Sequence, residues 1–249
     1  MLKNERHELI LKMLQNNKYM TPKDIADKTF SSYSSIRRDL EELEDAGLIM
    51  RSYGRVELAN KHPMLISYPL RIEKNSEQKR VIAKKAASLI QAGDTIFVDP
   101  SSSCSYFVRE LTNIKGITII TNNVDVLFFL TQHNIDVICS GGMQTAPNRY
   151  ALVGSAAEST FNNIHADWCV FSTRSLTADG KLYDIHYNET VVRNIMLKNA
   201  DKKLFLCDST KLNTISAYYQ CSLSDVNYLV SDTPAAKSYK KSFNNINVL

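Results

Sequence analysis

The chain is short of the residues that advertise a specialised scaffold. Glycine (8 of 249 residues) and proline (6) are scarce, which excludes collagen-like and low-complexity architectures. The five cysteines, Cys104, Cys139, Cys169, Cys207 and Cys221, form no C-x-x-C pair and are odd in number. That pattern points to small buried hydrophobes in a reducing compartment rather than to disulfides or zinc. No stretch approaches the roughly 18 apolar residues of a transmembrane helix. The opening Met1-Leu2-Lys3-Asn4-Glu5-Arg6 is charged and unlike a secretory h-region, so a cytoplasmic location is expected. An excess of one charge is missing too. Thirty Lys+Arg against 26 Asp+Glu leave a net +4, too mild to identify a nucleic-acid partner. What is present, 44% hydrophobic and 22% charged residues in 28.2 kDa, suits a folded chain of two unequal domains.

Residues 1–60 carry 10 basic and 10 acidic residues, so any DNA contact there must come from placement. Leu9, Ile10, Met13 and Leu14 recur at helical spacing, and Asn16-Asn17-Lys18 ends the first helix. Thr21-Pro22 places a capping hydroxyl before a first-turn proline and predicts a second helix through Ile25 and Ala26. After Phe30-Ser31-Ser32 a third helix follows, with Ile36, Leu40 and Leu43 on one face and Gly47 as its C-terminal cap. Leu48–Met50 and Val56–Leu58 flank a Tyr53-Gly54 turn. Three helices and a β-hairpin outline a winged helix-turn-helix. Its third helix would turn Ser34 and Arg38 outward, with Ser35 and Arg37 on the flanks, toward phosphates and base edges. An Arg-Arg pair alone is more simply a solvated face. The acidic run Glu41, Glu42, Glu44 and Asp45 would repel phosphate and leaves only the first half of the helix to DNA.

The pattern Arg6-x3-Ile10-x3-Leu14, then seventeen residues, then Ser32-x2-Ser35-Ile36-Arg37-Arg38-Asp39-Leu40 resembles the helix-turn-helix signature of the DeoR family of bacterial transcriptional regulators. Ser35 stands where the family usually has threonine. The hairpin has Gly54-Arg55 where a Gly-Gly pair is common, and Arg55 either adds a phosphate contact or reshapes the turn. The resemblance implies double-stranded operator DNA as a partner, with Ser32, Ser34, Ser35, Arg37, Arg38 and Arg55 toward it. A symmetric homo-oligomer, dimer or tetramer, is expected on repeated half-sites.

Residues 61–75, with Pro63 and Pro69 and no clear period, read as a linker. From 76 to 249 the chain alternates. A helix through Val81, Ile82, Lys85, Ala86 and Leu89-Ile90 ends at Gly93. Apolar runs at Thr95–Val98, Ile117–Ile120, Ile135–Ile138, Trp168–Phe171, Leu204–Cys207 and Tyr228–Val230 are separated by helical patterns such as Cys104–Leu111, Val124–Leu130 and Thr190–Leu197. This is the signature of a mostly parallel α/β domain, whose ligands bind beyond the carboxyl ends of the strands. Four such ends carry polar loops: Asp99–Ser105, Thr121-Asn122-Asn123, Ser140-Gly141-Gly142 and Asp208-Ser209-Thr210-Lys211. The first is either an anion cradle at a helix N-terminus or a serine-rich capped turn. Lys211 could neutralise a phosphate.

The resemblance extends to this half. It implies an effector-sensing domain similar in fold to ribose-phosphate isomerases that binds a phosphorylated sugar. The implied effector residues are Asp99, Ser101, Ser102, Ser103, Cys104, Thr121, Asn122, Gly141, Gly142, Glu189 and Lys211. The phosphate loop departs from the family pattern at Ser101, where a glycine is usual, at Ser103, where threonine is, and at Cys104, where Ser or Thr is; Phe171-Ser172-Thr173 also lacks the glycines usual after that strand. A sugar-phosphate isomerase is the competing reading. It would draw on Asp167, Asp179, Asp184 or Glu189 for proton transfer. Asp179-Gly180 reads more simply as a turn and Asp184 as surface, while Glu189 could bind a sugar hydroxyl. His62, His133, His165 and His186 show neither metal spacing nor a paired nucleophile. The sequence therefore reads as a repressor of a carbohydrate operon, not an enzyme, requiring no cofactor or metal. A DNA-binding module whose sensor no longer holds phosphate is the remaining alternative.

Overall fold

The computed structural model describes residues 3–17, 19–45, 48–52, 54–58, 68–145 and 148–249. The expectations placed on Lys18, Gly47, Tyr53, His62 and Pro63 lie outside them. The chain divides into two compact units, Met1–Glu73 and Lys74–Leu249.

In the first unit, α1 (Lys3–Asn16), α2 (Pro22–Thr29) and α3 (Tyr33–Asp45) precede β1 (Ile49–Ser52) and β2 (Arg55–Leu58). The strands pair antiparallel, with Ile49 opposite Leu58 and Ser52 opposite Arg55. Thr21 starts α2 with a capping box: its hydroxyl accepts the Asp24 amide, and Asp24 accepts the Thr21 amide. Phe30 ends α2 in the left-handed region, at φ 51°. Ile10, Leu14, Ile25, Ile36, Leu40, Leu43, Ile49 and Val56 form the core that the helical spacing predicts. Met20 bridges Val56 in both directions, tying the segment before α2 to the hairpin.

The linker reading is corrected in part. Within it, Tyr68–Glu73 forms a short helix, α4, with Tyr68 buried. Pro69 lies in its first turn, where no amide is needed, so this proline starts a helix instead of breaking one. Residues 61–67 lie outside the described residues.

The second unit is a fully parallel seven-stranded sheet. Its strands are β3 (Thr95–Val98), β4 (Thr118–Thr121), β5 (Asp136–Cys139), β8 (Ala166–Phe171), β11 (Ala200–Cys207), β13 (Tyr228–Ser231) and β14 (Asn247–Val248). Their order is β14-β13-β11-β8-β3-β4-β5. The remaining strands stand apart. β6 (Met143–Thr145) and β7 (Asn148–Val153) make an antiparallel hairpin, and β9 (Ser175–Leu176), β10 (Lys181–Asp184) and β12 (Tyr218–Ser222) make a small antiparallel sheet. Alternation along the strands divides the core in two. Ile96, Val98, Ile119, Val170 and Leu206 pack with residues of α5 (Ser76–Ala87), α6 (Ser102–Arg109) and α7 (Val124–Leu130). Phe97, Ile120, Cys169, Phe171 and Phe205 pack with residues of α8 (Ser155–Asn162) and α9 (Tyr187–Lys198). Both faces are thus covered, as an all-parallel sheet requires. Val81, expected on the buried stripe of α5, is exposed. The helix instead buries Lys79, Ile82, Ala83 and Ala86, and it stops at Ala87.

The strand order fixes where a ligand could sit. From β3 the chain builds outward through β4 and β5, then returns to place β8 on the other flank of β3. The loops after β3 and β8 therefore diverge, opening a crevice at a topological switch point.

Candidate functional site

Each unit presents its own cluster of polar groups. In the first, Ser32 precedes α3 and its hydroxyl accepts the Ser35 amide at 3.2 Å; it also lies 3.0 and 2.8 Å from the Ser34 and Ser35 hydroxyls. Ser34, Arg37 and Arg38 are exposed and Ser35 is half-buried. The Arg37 Nε donates to Glu41 Oε1 at 3.2 Å, an exposed pair of the kind that contributes little and opens readily. Arg38 makes no hydrogen bond or ion pair among the described residues. The acidic run is less repulsive than its sequence suggests, because Glu41, Glu42 and Glu44 are paired with Arg37, Lys3 and Arg51. Arg55 is exposed on β2 with its guanidinium 4.2 Å from the centre of the Tyr19 ring. The left-handed turn residue is Gly54, at φ 74°.

Two polar members of the helix-turn-helix pattern do something else. Asp39 is buried and accepts from Arg6 through both Nε and Nη2, the latter at 3.0 Å, with His7 Nε2 at 3.2 Å. Burial alone would raise the Asp39 pKa. The Arg6 hydrogen bonds and charge, with His7, outweigh it and hold the carboxyl below its ordinary value. Arg6 and Asp39 join α1 to α3.

In the second unit, Asp99 follows β3 and is fully buried. It accepts the Ser101 amide at 3.0 Å, the Ser172 amide at 3.3 Å and the Arg193 Nε at 2.8 Å. Arg193, buried on α9, also donates through Nη1 to Asp184 at 2.9 Å and to Gln220 at 2.7 Å. Asp99 is therefore consumed in fixing the crevice and is not a free ligand group, and Asp184 is buried rather than on the surface. Ser101 caps α6, its Oγ accepting the Cys104 amide at 3.2 Å from an extended backbone, φ −83°. Cys104 is corrected as well. Its thiol donates to the Val170 carbonyl at 3.4 Å inside the core, where burial drives its pKa well up.

Thr121 is fully buried, donating to the Val98 carbonyl at 2.8 Å and accepting the Asn123 amide at 3.0 Å, so it orients its loop. Asn122 donates to the Leu152 carbonyl at 2.8 Å, yet among the described residues its Oδ1 is buried with no partner. Ser103 Oγ, in the first turn of α6, is buried without a partner too. Gly141 and Gly142 are exposed, with φ of 65° and 112°. A Cβ on Gly142 would lie 2.6 Å from the Val153 carbonyl, so this glycine admits the hairpin β6-β7 close to its own turn. Glu189 is buried, accepting from Asn148 at 2.9 Å. Lys211, after β11, donates to Ser172 Oγ at 2.6 Å and lies 3.5 Å from Asp208 Oδ2. Burial would raise the Asp208 pKa; the charge of Lys211, the Thr210 hydrogen bonds and the charge of Lys79 turn the balance and lower it.

Asp99, Ser101, Ser172, Arg193, Asp208 and Lys211 thus form one linked network at the switch point. Arg193, Lys79 and Asn75 escaped the sequence reading, and Ser172 entered it only as a departure from glycine. A charged residue among the apolar positions of a predicted helix, Arg193 between Val192 and Met196 or Lys79 ahead of Ile82, is the signal that could have found two of them. Asn75, at φ 56°, donates to Asp208 at 3.2 Å and to Thr210 at 3.0 Å. Among the described residues no group of three or more His, Cys, Asp and Glu is placed to hold a metal ion, and no helix is long and apolar enough to cross a membrane.

Comparison with known proteins identifies both units. A model of the DeoR-like helix-turn-helix domain matches residues 6–62, and one of the DeoR C terminal sensor domain matches residues 74–233. The chain is 31% identical over 240 residues to the HTH-type transcriptional regulator GolR of Listeria innocua, covering 96% of this chain and 94% of that one. It is 30% identical to the HTH-type transcriptional repressor CsqR of Escherichia coli, covering 94% and 90%. Among solved structures, the tetrameric eIF2B-beta2-delta2 complex from C. thermophilum aligns with a TM-score of 0.50 at 14% identity over 66% of this chain and 58% of that one, a likeness of fold alone. A D-ribose-5-phosphate isomerase in complex with phospho-erythronic acid aligns at 0.42 and 17% identity over 55% and 54%.

Proposed function

The chain belongs to the DeoR family of DNA-binding transcriptional regulators, and from that premise we propose that it represses a carbohydrate-metabolism operon from the cytoplasm and leaves its operator when a phosphorylated sugar binds the sensor unit. The winged unit docks in the major groove with Arg38 and Arg37 toward the bases and Ser32, Ser34 and Arg55 toward the backbone. A homo-oligomer would match repeated half-sites.

One observation carries the sensor half of this reading. Among the described residues Ser103 Oγ, in the first turn of α6 after β3, and Asn122 Oδ1, in the loop after the adjacent β4, are buried without partners. Buried polar atoms are normally satisfied, and these await groups that a sugar carries. Relatives named as a lactose phosphotransferase system repressor and a glycerol-3-phosphate regulon repressor support the choice of ligand class. The carboxylates an isomerase would need are otherwise engaged. Asp99 and Asp184 hold Arg193, Asp179 accepts from Thr177 in a turn, Asp167 accepts the Thr95 amide, and Glu189 holds Asn148.

The test is selection of duplexes from a random pool by the full chain, repeated with pentose and hexose phosphates. An enriched repeated half-site that the protein releases with one of those phosphates is the expected result. No enriched sequence would overturn the DNA reading, and release by none of the ligands would overturn the sugar-phosphate reading.

A further inference from the structure

Two of the donors that a phosphate at these loops could use are already occupied by side chains of the protein. The Cys104 amide, in the first turn of α6, is capped by Ser101 Oγ at 3.2 Å. The Lys211 ammonium is held by Ser172 Oγ at 2.6 Å. Ser172 donates its own proton to the Leu206 carbonyl at 2.5 Å, which turns its lone pairs toward the lysine. Both hydroxyls are locked. Ser172 is buried and its amide is tied to Asp99, while Ser101 is held by its own amide on the same carboxylate.

The charge around them offers a free anion little attraction. The buried or nearly buried cations Lys79, Arg193 and Lys211 are outnumbered by the buried carboxylates Asp99, Asp184, Glu189 and Asp208. Phosphate entering alone would have to displace two neutral hydroxyls. The orphaned Ser103 Oγ and Asn122 Oδ1 change that balance for a ligand that also carries hydroxyl groups. Asn122 Oδ1 can only accept, so its partner must be a donor such as a sugar O–H.

From this we infer that Ser101 and Ser172 guard the sensor against free inorganic phosphate. They occupy the donors a phosphate needs, so that only a phosphorylated ligand bringing hydroxyls for Ser103 and Asn122 displaces them. The inference rests on the sugar-phosphate reading of the site and adds the discrimination built into this chain.

The experiment is calorimetric titration of the full chain with inorganic phosphate, and separately with a panel of pentose and hexose phosphates. The proteins are wild type, Ser101→Ala, Ser172→Ala, the double variant, and the double variant with Lys211→Ala. Circular dichroism and thermal unfolding verify folding. Ser101→Gly, which retains most of a cap's preference, replaces any alanine variant at that position that does not fold. Each serine removed should tighten inorganic phosphate about tenfold, the value of one freed hydrogen bond to a charged group. Lys211→Ala should reverse the gain. Sugar phosphates should gain less, so the preference for them over phosphate narrows. If folded variants bind inorganic phosphate no tighter than wild type while the panel still binds, the guard is wrong and the sugar-phosphate reading stands. If no protein binds any ligand of either kind, that reading falls and the guard falls with it.

Discussion

On α3 the groups proposed to meet DNA stand clear of the fold. Arg38 is exposed without a partner among the described residues, Arg37 is held only by an exposed pair with Glu41, and Ser34 faces solvent. At the switch point of the sensor sheet the opposite holds. Asp99, Ser172 and Arg193 are at most 1% exposed, and nearly every polar atom has a partner inside the protein. The difference follows from what each surface meets. DNA phosphates are presented from outside, so solvated side chains suffice and positioning is left to the helix. A small effector must be enclosed, so its site is built from buried groups, and buried polar groups have to be satisfied before the ligand arrives.

The largest break in that contrast comes from Arg193. Replacing it with Met leaves Asp99 and Asp184 buried without their cation, and loss of one partner of a buried pair costs about 3–5 kcal/mol. Urea unfolding should show this loss in the sensor unit, and a loss under about 1 kcal/mol would mean the network is not what fixes the crevice. The same logic predicts the reverse for Arg38→Ala. Stability should stay within about 0.5 kcal/mol of wild type, while operator binding weakens by about 1–3 kcal/mol with relaxed specificity at one base. Equal weakening on random DNA would make Arg38 a phosphate clamp only.

Asp39 sharpens the comparison from within the DNA unit, since it is buried there and its pair with Arg6 joins α1 to α3. Its folded pKa lies below the unfolded value near 3.9. Its contribution is therefore complete above that value and is lost as pH falls through the folded one. Asp39→Asn should lower stability at neutral pH by about 1–3 kcal/mol, the value of hydrogen bonds to a charged group, and flatten the acid limb. An unchanged acid limb would show that Asp39 is not its source. The smallest effect is expected from Tyr19→Leu. It removes the ring beneath Arg55 and should weaken DNA binding by about 0.5–1 kcal/mol, as an exposed cation–π contact contributes.

How much of this could be read from the sequence depends on the range of the interaction. Six of the seven parallel strands announced themselves because each is a local apolar run, β14 being two residues long and missed, and Val124–Leu130 was legible as a helix to the residue. The start of α2 was legible in Thr21-Pro22 because capping is decided within four residues. Roles that depend on distant partners were not. Asp99 looked like a ligand residue until Arg193, 94 positions away, was seen to occupy it. Asp184 looked like surface for the same reason. Cys104 matched a loop pattern, but helical geometry turns its side chain to the core side of α6. The strand pair β9-β10 was missed because β9 is two residues long and has no period to detect.

The account's central claim is that the sensor unit controls the DNA unit through its effector. Its most direct test is the fluorescence anisotropy of a labelled selected duplex bound by the full chain, titrated with the sugar phosphate that the sensor binds. Coupling of about 1–3 kcal/mol is typical of such linkage and corresponds to roughly 5- to 150-fold in the operator Kd. The account predicts weakening in that range, lost in Lys211→Ala, with the duplex weakening the sugar phosphate by the same factor. An operator Kd that stays constant while the sensor is saturated with sugar phosphate would contradict it.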